Sequence, residues 1–285
     1  ALEDVATGLT LTYVELDRRA SQAAALLAER NVGKGDRVAI LCRNRIAFFE
    51  LLFACAKRGA ILVPLNWRMP PAELDGLIAD AEPALLLYGA SDTEAVRGLA
   101  APPPAIGLDD EWEPLVGQSP PVPGRSSWRE DGIWYLIYTS GTTGRPKGVI
   151  YTFRMALANH VNIGSAVDLR STDTTACFLP LFHTAGINLH ALPTLFAGGT
   201  TLYTATTNAD GLARERWTLG TVAGDTQRVE CRLAARRREQ DLLERGHRGE
   251  SGGADTGGRC ARKCRFERRD RERDCGIARP PAPCG

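Results

Sequence analysis

The chain has 285 residues, 44% hydrophobic and 24% charged, with a net charge of +1. That is enough to bury a sizeable core in one large domain or two ordinary ones. No run of about 18 apolar residues occurs, so a membrane span is not expected, and Ala1–Thr10 has no basic start followed by an apolar stretch, so no signal peptide is read. The near-neutral total hides a seam. Residues 1–211 carry 17 Lys+Arg and 22 Asp+Glu, whereas residues 212–285 carry 18 and 12, and 17 of those last 18 bases are arginine. Only ten of the final 74 residues are Val, Ile, Leu, Met, Phe, Trp or Tyr, too few to offset the entropy of ordering that stretch. With no initiator Met, the chain reads as starting inside a longer protein. Function is expected from residues 1–211.

In chain order, Thr12 followed by Glu15 is a capping box and opens the first helix. Leu16, Ala20, Ala23 and Leu27 share one face of it; Arg18, Gln22 and Glu29 share the other. The turn Gly33–Asp36 leads to a strand at Val38–Leu41. A helix over Ile46–Lys57 stops at Gly59, and Ile61–Leu65 is an apolar strand. Pro70-Pro71-Ala72-Glu73 opens a third helix, and Leu85–Tyr88 is the next strand. Helices alternating with uniformly apolar strands predict an α/β fold, layered sheets flanked by helices, with a parallel, doubly covered sheet. Seven prolines in residues 101–128 mark a linker or long surface loop. Strands are expected at Ile133–Tyr138, Val149–Phe153, Ala176–Leu179 and Thr200–Thr204, with helices near Arg154–Val167 and Ile187–Phe196. Thr200–Thr204 is the last strand expected; past Thr206 the periodicity dissolves.

Cys42, Cys55 and Cys177 are isolated in apolar surroundings, the habit of reduced core thiols, and they point to a cytoplasmic protein. Cys231, Cys260, Cys264, Cys275 and Cys284 lie in the arginine-rich end, and their spacing misses the paired zinc pattern, so no metal site is assigned.

The chemistry concentrates in Tyr138-Thr139-Ser140-Gly141-Thr142-Thr143-Gly144-Arg145-Pro146-Lys147-Gly148. Glycines that free the backbone to present several N–H groups, hydroxyls at Thr139, Ser140, Thr142 and Thr143, and the Lys147 cation are the parts of a phosphate-binding loop. The plain alternative is a polar hairpin turn. A Walker loop is excluded, because Pro146 stands where glycine must precede the lysine and a strand follows where a helix should begin. His183 follows Phe182 and reads equally as a packed or solvated histidine; Gly186 permits a close backbone approach.

The string Tyr138–Gly148 resembles the signature of the AMP-forming acyl-CoA synthetases, the acyl-adenylate-forming superfamily. Leu11-Thr-Tyr-Val-Glu-Leu, Gly35-Asp-Arg-Val-Ala-Ile, Gly59-Ala-Ile-Leu-Val-Pro-Leu-Asn66 and Leu179-Pro-Leu-Phe-His183-Thr-Ala-Gly186 resemble further landmarks of that family, in the expected order over residues 1–205. The resemblance implies a partial large N-terminal domain of the adenylate-forming fold. It implies ligation of a fatty or aryl carboxylic acid to coenzyme A through an acyl-adenylate, with ATP and Mg²⁺. Thr139, Ser140, Gly141, Thr142, Thr143, Gly144 and Lys147 would hold the β- and γ-phosphates, and His183 and Gly186 would border the acid. It also implies an adenine-binding segment, a ribose-binding acid and a second, catalytic lysine; none is found in 206–285, so no catalytic residue is assigned and the chain is expected not to turn over. An amino-acid adenylation domain loading a carrier protein, or a non-catalytic remnant, are the alternatives. The tail reads as a nucleic-acid arm, a disordered extension or a frame-shifted translation. Interspersed carboxylates argue against the first, so no nucleic acid is expected, and the abrupt end of the resemblance favours the third. The coding DNA discriminates: another frame past codon 205 should restore apolar strands.

Overall fold

The computed structural model describes residues 1–124, 127–139, 146–203, 212–222 and 225–234. The chain divides into two compact units, Ala1–Thr206 and Thr207–Gly285.

The first unit runs β1 (Leu2–Asp4), β2 (Thr10–Leu11), α1 (Tyr13–Glu29), β3 (Arg37–Leu41), α2 (Ile46–Arg58), β4 (Ile61–Pro64), α3 (Pro71–Ala81), β5 (Leu85–Tyr88), α4 (Thr93–Arg97), β6 (Ala105–Gly107), α5 (Trp112–Gln118), β7 (Ile133–Thr139), β8 (Lys147–Thr152), α6 (Phe153–Val167), β9 (Thr174–Cys177), α7 (Leu192–Ala197) and β10 (Thr200–Tyr203). The local signals behave as their chemistry dictates. Glu15 N–H donates to the Thr12 hydroxyl while the Glu15 carboxylate accepts from Thr12 N–H at 2.8 Å, closing both ends of the capping box. Gly59 ends α2 at φ 73°, a left-handed conformation that glycine adopts without steric cost.

Six strands form the larger sheet in the order β6-β5-β3-β4-β7-β8, parallel throughout except for the antiparallel edge strand β8. The direction of the crossovers decides which helix lies where. From β3 the chain moves one way to β4 through α2; from β4 it returns past β3 to β5 through α3. Right-handed crossovers running in opposite directions place their helices on opposite faces. Accordingly Val38, Ile40, Leu62, Leu85 and Leu87 pack with α1 and α2, and Ala39, Leu41, Val63, Leu65 and Leu86 pack with Leu74, Leu77 and Ile78 of α3. Burial on both faces is why these strands are uniformly apolar.

The smaller sheet has the order β2-β1-β10-β9, with β1, β10 and β9 parallel and β2 antiparallel. Helix α2 lies between the two sheets. Phe49 meets Tyr203 of β10 at 6.3 Å between ring centroids, and on the other side Trp134 of β7 donates to the Leu52 carbonyl at 2.8 Å. A helix covered on every side must be apolar nearly all round, and ten of its thirteen residues are buried.

Three expectations need correction. The proline-rich stretch 101–128 contains β6 and α5, and it buries Ile106, Leu108, Trp112 and Val116 in the main core. Trp112 Nε1 donates to Glu50 at 2.8 Å, and the other Glu50 oxygen takes Arg19, which gives this fully buried carboxylate a partner on each side. Gln22 is buried rather than solvated: its amide donates to the Ser119 carbonyl at 3.2 Å beyond the end of α5 and accepts from Arg18 at 2.9 Å. In the second unit, β11 (Leu212–Val222) and β12 (Asp225–Ala234) form an antiparallel pair, where no strand was expected. Ladder hydrogen bonds do not need an apolar core, and Thr218, Thr221, Val222, Thr226 and Val229 favour extended backbone.

Candidate functional site

In an α/β sheet, ligands bind beyond the carboxyl ends of the strands, where neighbouring crossovers leave to opposite faces. Here that place is the gap between β3 and β4. The segment after β3 supplies Arg43 and Asn44; the segment after β4 supplies Trp67 and Arg68. The Arg43 and Arg68 guanidinium groups lie 4.6 and 4.8 Å from the centre of the Trp67 ring, and Phe182 meets the same ring edge-on at 6.2 Å. Cationic stacking of this kind contributes about 0.5–1 kcal/mol per exposed contact. It also brings Phe182, and therefore its neighbour His183, to the switch point.

Asn44 fixes that neighbourhood. Its buried side-chain amide donates to the Leu179 carbonyl at 2.9 Å, and its carbonyl accepts from Leu181 N–H at 2.9 Å. One side chain thereby satisfies both backbone groups of a segment that has left β9 and has no strand partner, at a net gain of about 1 kcal/mol per bond. Past Leu181 the chain turns sharply. His183 N–H donates to the Pro180 carbonyl at 3.1 Å, Gly186 N–H donates to the His183 carbonyl at 2.9 Å, and Ala185 N–H donates to His183 Nδ1 at 3.3 Å. The imidazole is exposed. Gly186 is buried, and a Cβ there would stand 2.1 Å from the Pro180 carbonyl oxygen. The close approach expected at Gly186 is thus made by its own chain.

Adjacent to β4, strand β7 delivers Thr139 at its carboxyl end. The β7–β8 register sets Thr139 opposite Lys147 and Tyr138 opposite Gly148, and both Thr139 and Lys147 are exposed. Ser140, Gly141, Thr142, Thr143 and Gly144 lie outside the described residues. Tyr138 donates to Asp80 at 2.6 Å; partial burial and this acceptor both hold its phenol protonated.

The strands that flank the loop motif reach the His183 turn through a polar network that the sequence did not announce. Tyr135 of β7 donates to Asn188 Oδ1 at 2.6 Å, Asn188 Nδ2 donates to the Thr184 hydroxyl at 3.0 Å, and that hydroxyl shares a hydrogen bond of 2.8 Å with Tyr151 of β8. Asn44, Trp67, Arg68 and Asn188 carry no spacing signature; each is a lone residue in an ordinary context. Among the described residues no group of three or more His, Cys, Asp or Glu is placed to hold a metal, and no helix is long and apolar enough to cross a membrane. Cys42, Cys55 and Cys177 are buried and unpaired with one another. Burial pushes the thiols of Cys42 and Cys177 up to about 12 and that of Cys55 upward as well, so none is a nucleophile at neutral pH.

The profile of the family described as AMP-binding enzyme matches residues 1–234. The chain belongs to the AMP-binding enzyme family. The match continues past residue 205, where the sequence resemblance was read to end. Among curated relatives of this AMP-binding chain, a feruloyl-CoA synthase of Amycolatopsis sp is 39% identical over 195 residues, covering 68% of this chain and 39% of that enzyme. The long-chain-fatty-acid–CoA ligase FadD13 of Mycobacterium tuberculosis is 32% identical over 194 residues, covering 66% of this chain and 38% of that enzyme. Among solved structures, ATP-bound MatB from Rhodopseudomonas palustris is similar with a TM-score of 0.66 and 28% identity, over 73% of this chain and 42% of that one. The chain therefore spans about two-fifths of the length of the curated relatives it matches.

Proposed function

We propose that residues 1–205 form part of an AMP-forming acid–thiol ligase, the part that receives the phosphates of ATP and borders the carboxylic acid. The observation that carries this reading is the β7–β8 hairpin. It holds an exposed lysine opposite an exposed threonine beyond the carboxyl end of a parallel strand, beside the switch point at which His183 is held.

Adenylation brings a carboxylate to the α-phosphate of ATP and expels pyrophosphate. Both reactants are anions, so catalysis is mostly charge neutralisation and in-line placement. Lys147 supplies a fixed positive charge to the departing phosphates. Thr139, Ser140, Thr142 and Thr143 supply hydroxyl donors, and Gly141 and Gly144 allow backbone N–H groups to turn toward the same oxygens. Mg²⁺ would arrive with the nucleotide, screening the β- and γ-phosphates. His183 and Gly186 line the approach of a fatty or aryl acid, and coenzyme A is the acceptor thiol in the whole enzyme. The catalytic lysine is assigned to no residue of this chain. Buried thiols and coenzyme A-dependent chemistry both suit a reducing compartment, and we place the enzyme in the cytoplasm.

Calorimetric titration of Mg·ATP into the 285-residue chain, alongside a pyrophosphate-release assay with ferulate and palmitate, tests this. Binding is expected, with Lys147→Ala weakening it about tenfold or more, the worth of one charge-assisted contact, and with no pyrophosphate released. Equal affinity for the variant removes Lys147 from the phosphate site. Clear turnover overturns the assignment of the catalytic lysine elsewhere. On an intact parent, transfer to a carrier protein but never to coenzyme A would replace the acceptor.

A further inference from the structure

The Asn188 network joins the two halves of the candidate site, and of its members only Thr184 lies within a sequence motif. Asn188 is buried, and every polar atom of its side chain is engaged: Oδ1 accepts from Tyr135 of β7, and Nδ2 donates to Thr184. Its backbone carbonyl accepts from Asn159 of α6 at 2.6 Å. Thr184 follows His183 directly, and its hydroxyl completes the circuit to Tyr151 of β8. Tyr135 and Tyr151 face each other across the hairpin, with ring centroids 4.9 Å apart and planes 12° from parallel. The backbone at Asn188 belongs to a π-helical turn, Gly186–Ala191, a local widening that recurs at functional positions in helices.

Packing of apolar residues alone does not require these bonds. A buried amide bound on both sides of its carboxamide has one low-energy orientation, and leaving either partner unmade costs about 1–3 kcal/mol. The hairpin that ends at Thr139 and Lys147 is therefore tied, side chain to side chain, to the turn that presents His183. If the hairpin shifts when an anion is bound at its mouth, Thr184 has to follow.

Resting on the functional reading above, we propose that Asn188 and Thr184 are positioning residues that lock the His183 turn to the β7–β8 hairpin, so that filling the phosphate loop orders the acid side of the site. The two halves then bind cooperatively without sharing a ligand contact.

Backbone hydrogen exchange of the full chain, measured with and without saturating Mg·ATP, tests the lock. In the parent chain, Mg·ATP should slow exchange in β7–β8 and, by about fivefold or more, in residues 180–188. Tyr151→Phe removes one hydroxyl and keeps the ring stack. It should retain protection of β7–β8 while weakening the response in 180–188, because the Tyr135–Asn188–Thr184 path remains. Thr184→Val, which breaks both bonds of that hydroxyl, should lose the response in 180–188, and Thr184→Ser should restore it, which a role in packing bulk alone would not produce. Undiminished responses in Tyr151→Phe and Thr184→Val overturn the proposal, and so does a parent chain that protects β7–β8 but not 180–188; in both cases the nucleotide site stands. A parent chain protected at neither place overturns the nucleotide reading and the lock together.

Discussion

Replacing Gly186 by alanine adds one methyl at a point where the structure leaves no room for it. The new Cβ would lie 2.1 Å from the Pro180 carbonyl oxygen, 2.6 Å from the Pro180 carbonyl carbon and 2.9 Å from the Leu179 oxygen. All three are backbone atoms, so no rotamer change relieves the contact, and the turn has to open by more than about 1 Å before the 2.1 Å contact reaches the 3.4 Å at which ordinary separations begin. Overpacking costs about 1–3 kcal/mol. Opening the turn also loosens the His183-to-Pro180 hydrogen bond, worth about 1 kcal/mol. The total is about 3 kcal/mol, a fall in Tm of about 6–12 °C for a unit of this size. Gly164→Ala, in α6 with open space around its Cβ position, is the matched control and should gain about 0.5–1 kcal/mol from helix propensity. Thermal and urea unfolding followed by circular dichroism read both. A Gly186→Ala chain within about 2 °C of its parent would refute the close contact at Pro180, and a destabilised Gly164→Ala would refute the open space at that position of α6.

Other expectations follow the same logic. Asn44→Ala orphans the Leu179 carbonyl and the Leu181 N–H and should cost about 2–4 kcal/mol in urea unfolding; a loss under about 0.5 kcal/mol would mean that the clamp is idle. Cys42, Cys55 and Cys177 should resist iodoacetamide at pH 8 and label only as the fold opens, as peptide-level mass spectrometry can measure; a Cys177 that alkylates like a free thiol contradicts its burial. Asp92 is buried with Oδ2 unpartnered, and burial raises its carboxyl above the ordinary 3.8 despite Arg43 nearby. The folded state then holds the proton more tightly than the unfolded state, so stability declines as pH rises from 3.8 through the folded value and is level beyond it. Asp92→Asn lacks that decline, and its stability relative to the parent should improve over that interval; a difference independent of pH would refute the assignment.

Most of the first unit was legible because its signals are local. Thr12 and Glu15 cap α1 through bonds three residues apart, Gly59 ends α2 by its own φ, and β3, β4 and β5 advertise two-sided burial by carrying no polar alternation. What was missed depends on contacts far apart in the chain. The prolines around Trp112 read as a loop, yet Glu50, 62 positions earlier, makes that tryptophan part of the core. Gln22 is polar and helical, and only Ser119 shows why it is inside. β8 alternates no differently from a parallel strand, and its antiparallel pairing at the sheet edge, open in the sequence as the hairpin alternative, is decided by the register. At the candidate site, the glycine- and hydroxyl-rich loop stands out in one dimension because its chemistry is contiguous. Asn44 and Asn188 do not, because an amide becomes informative only when the backbone groups it serves are known. Gly186 was legible as a tight place, but that the atoms crowding it are those of Pro180 and Leu179 shows only in the folded turn.

Helix α2 has a consequence for how this unit comes apart. Its residues form one wall for each sheet, so neither sheet can shed its covering without stripping the other. Removing α2 exposes Tyr203 and Trp134 at the same moment. Residues 1–203 should therefore melt in a single transition, and a protease that nicks the proline-rich stretch near Pro120–Pro123 should release no stable half.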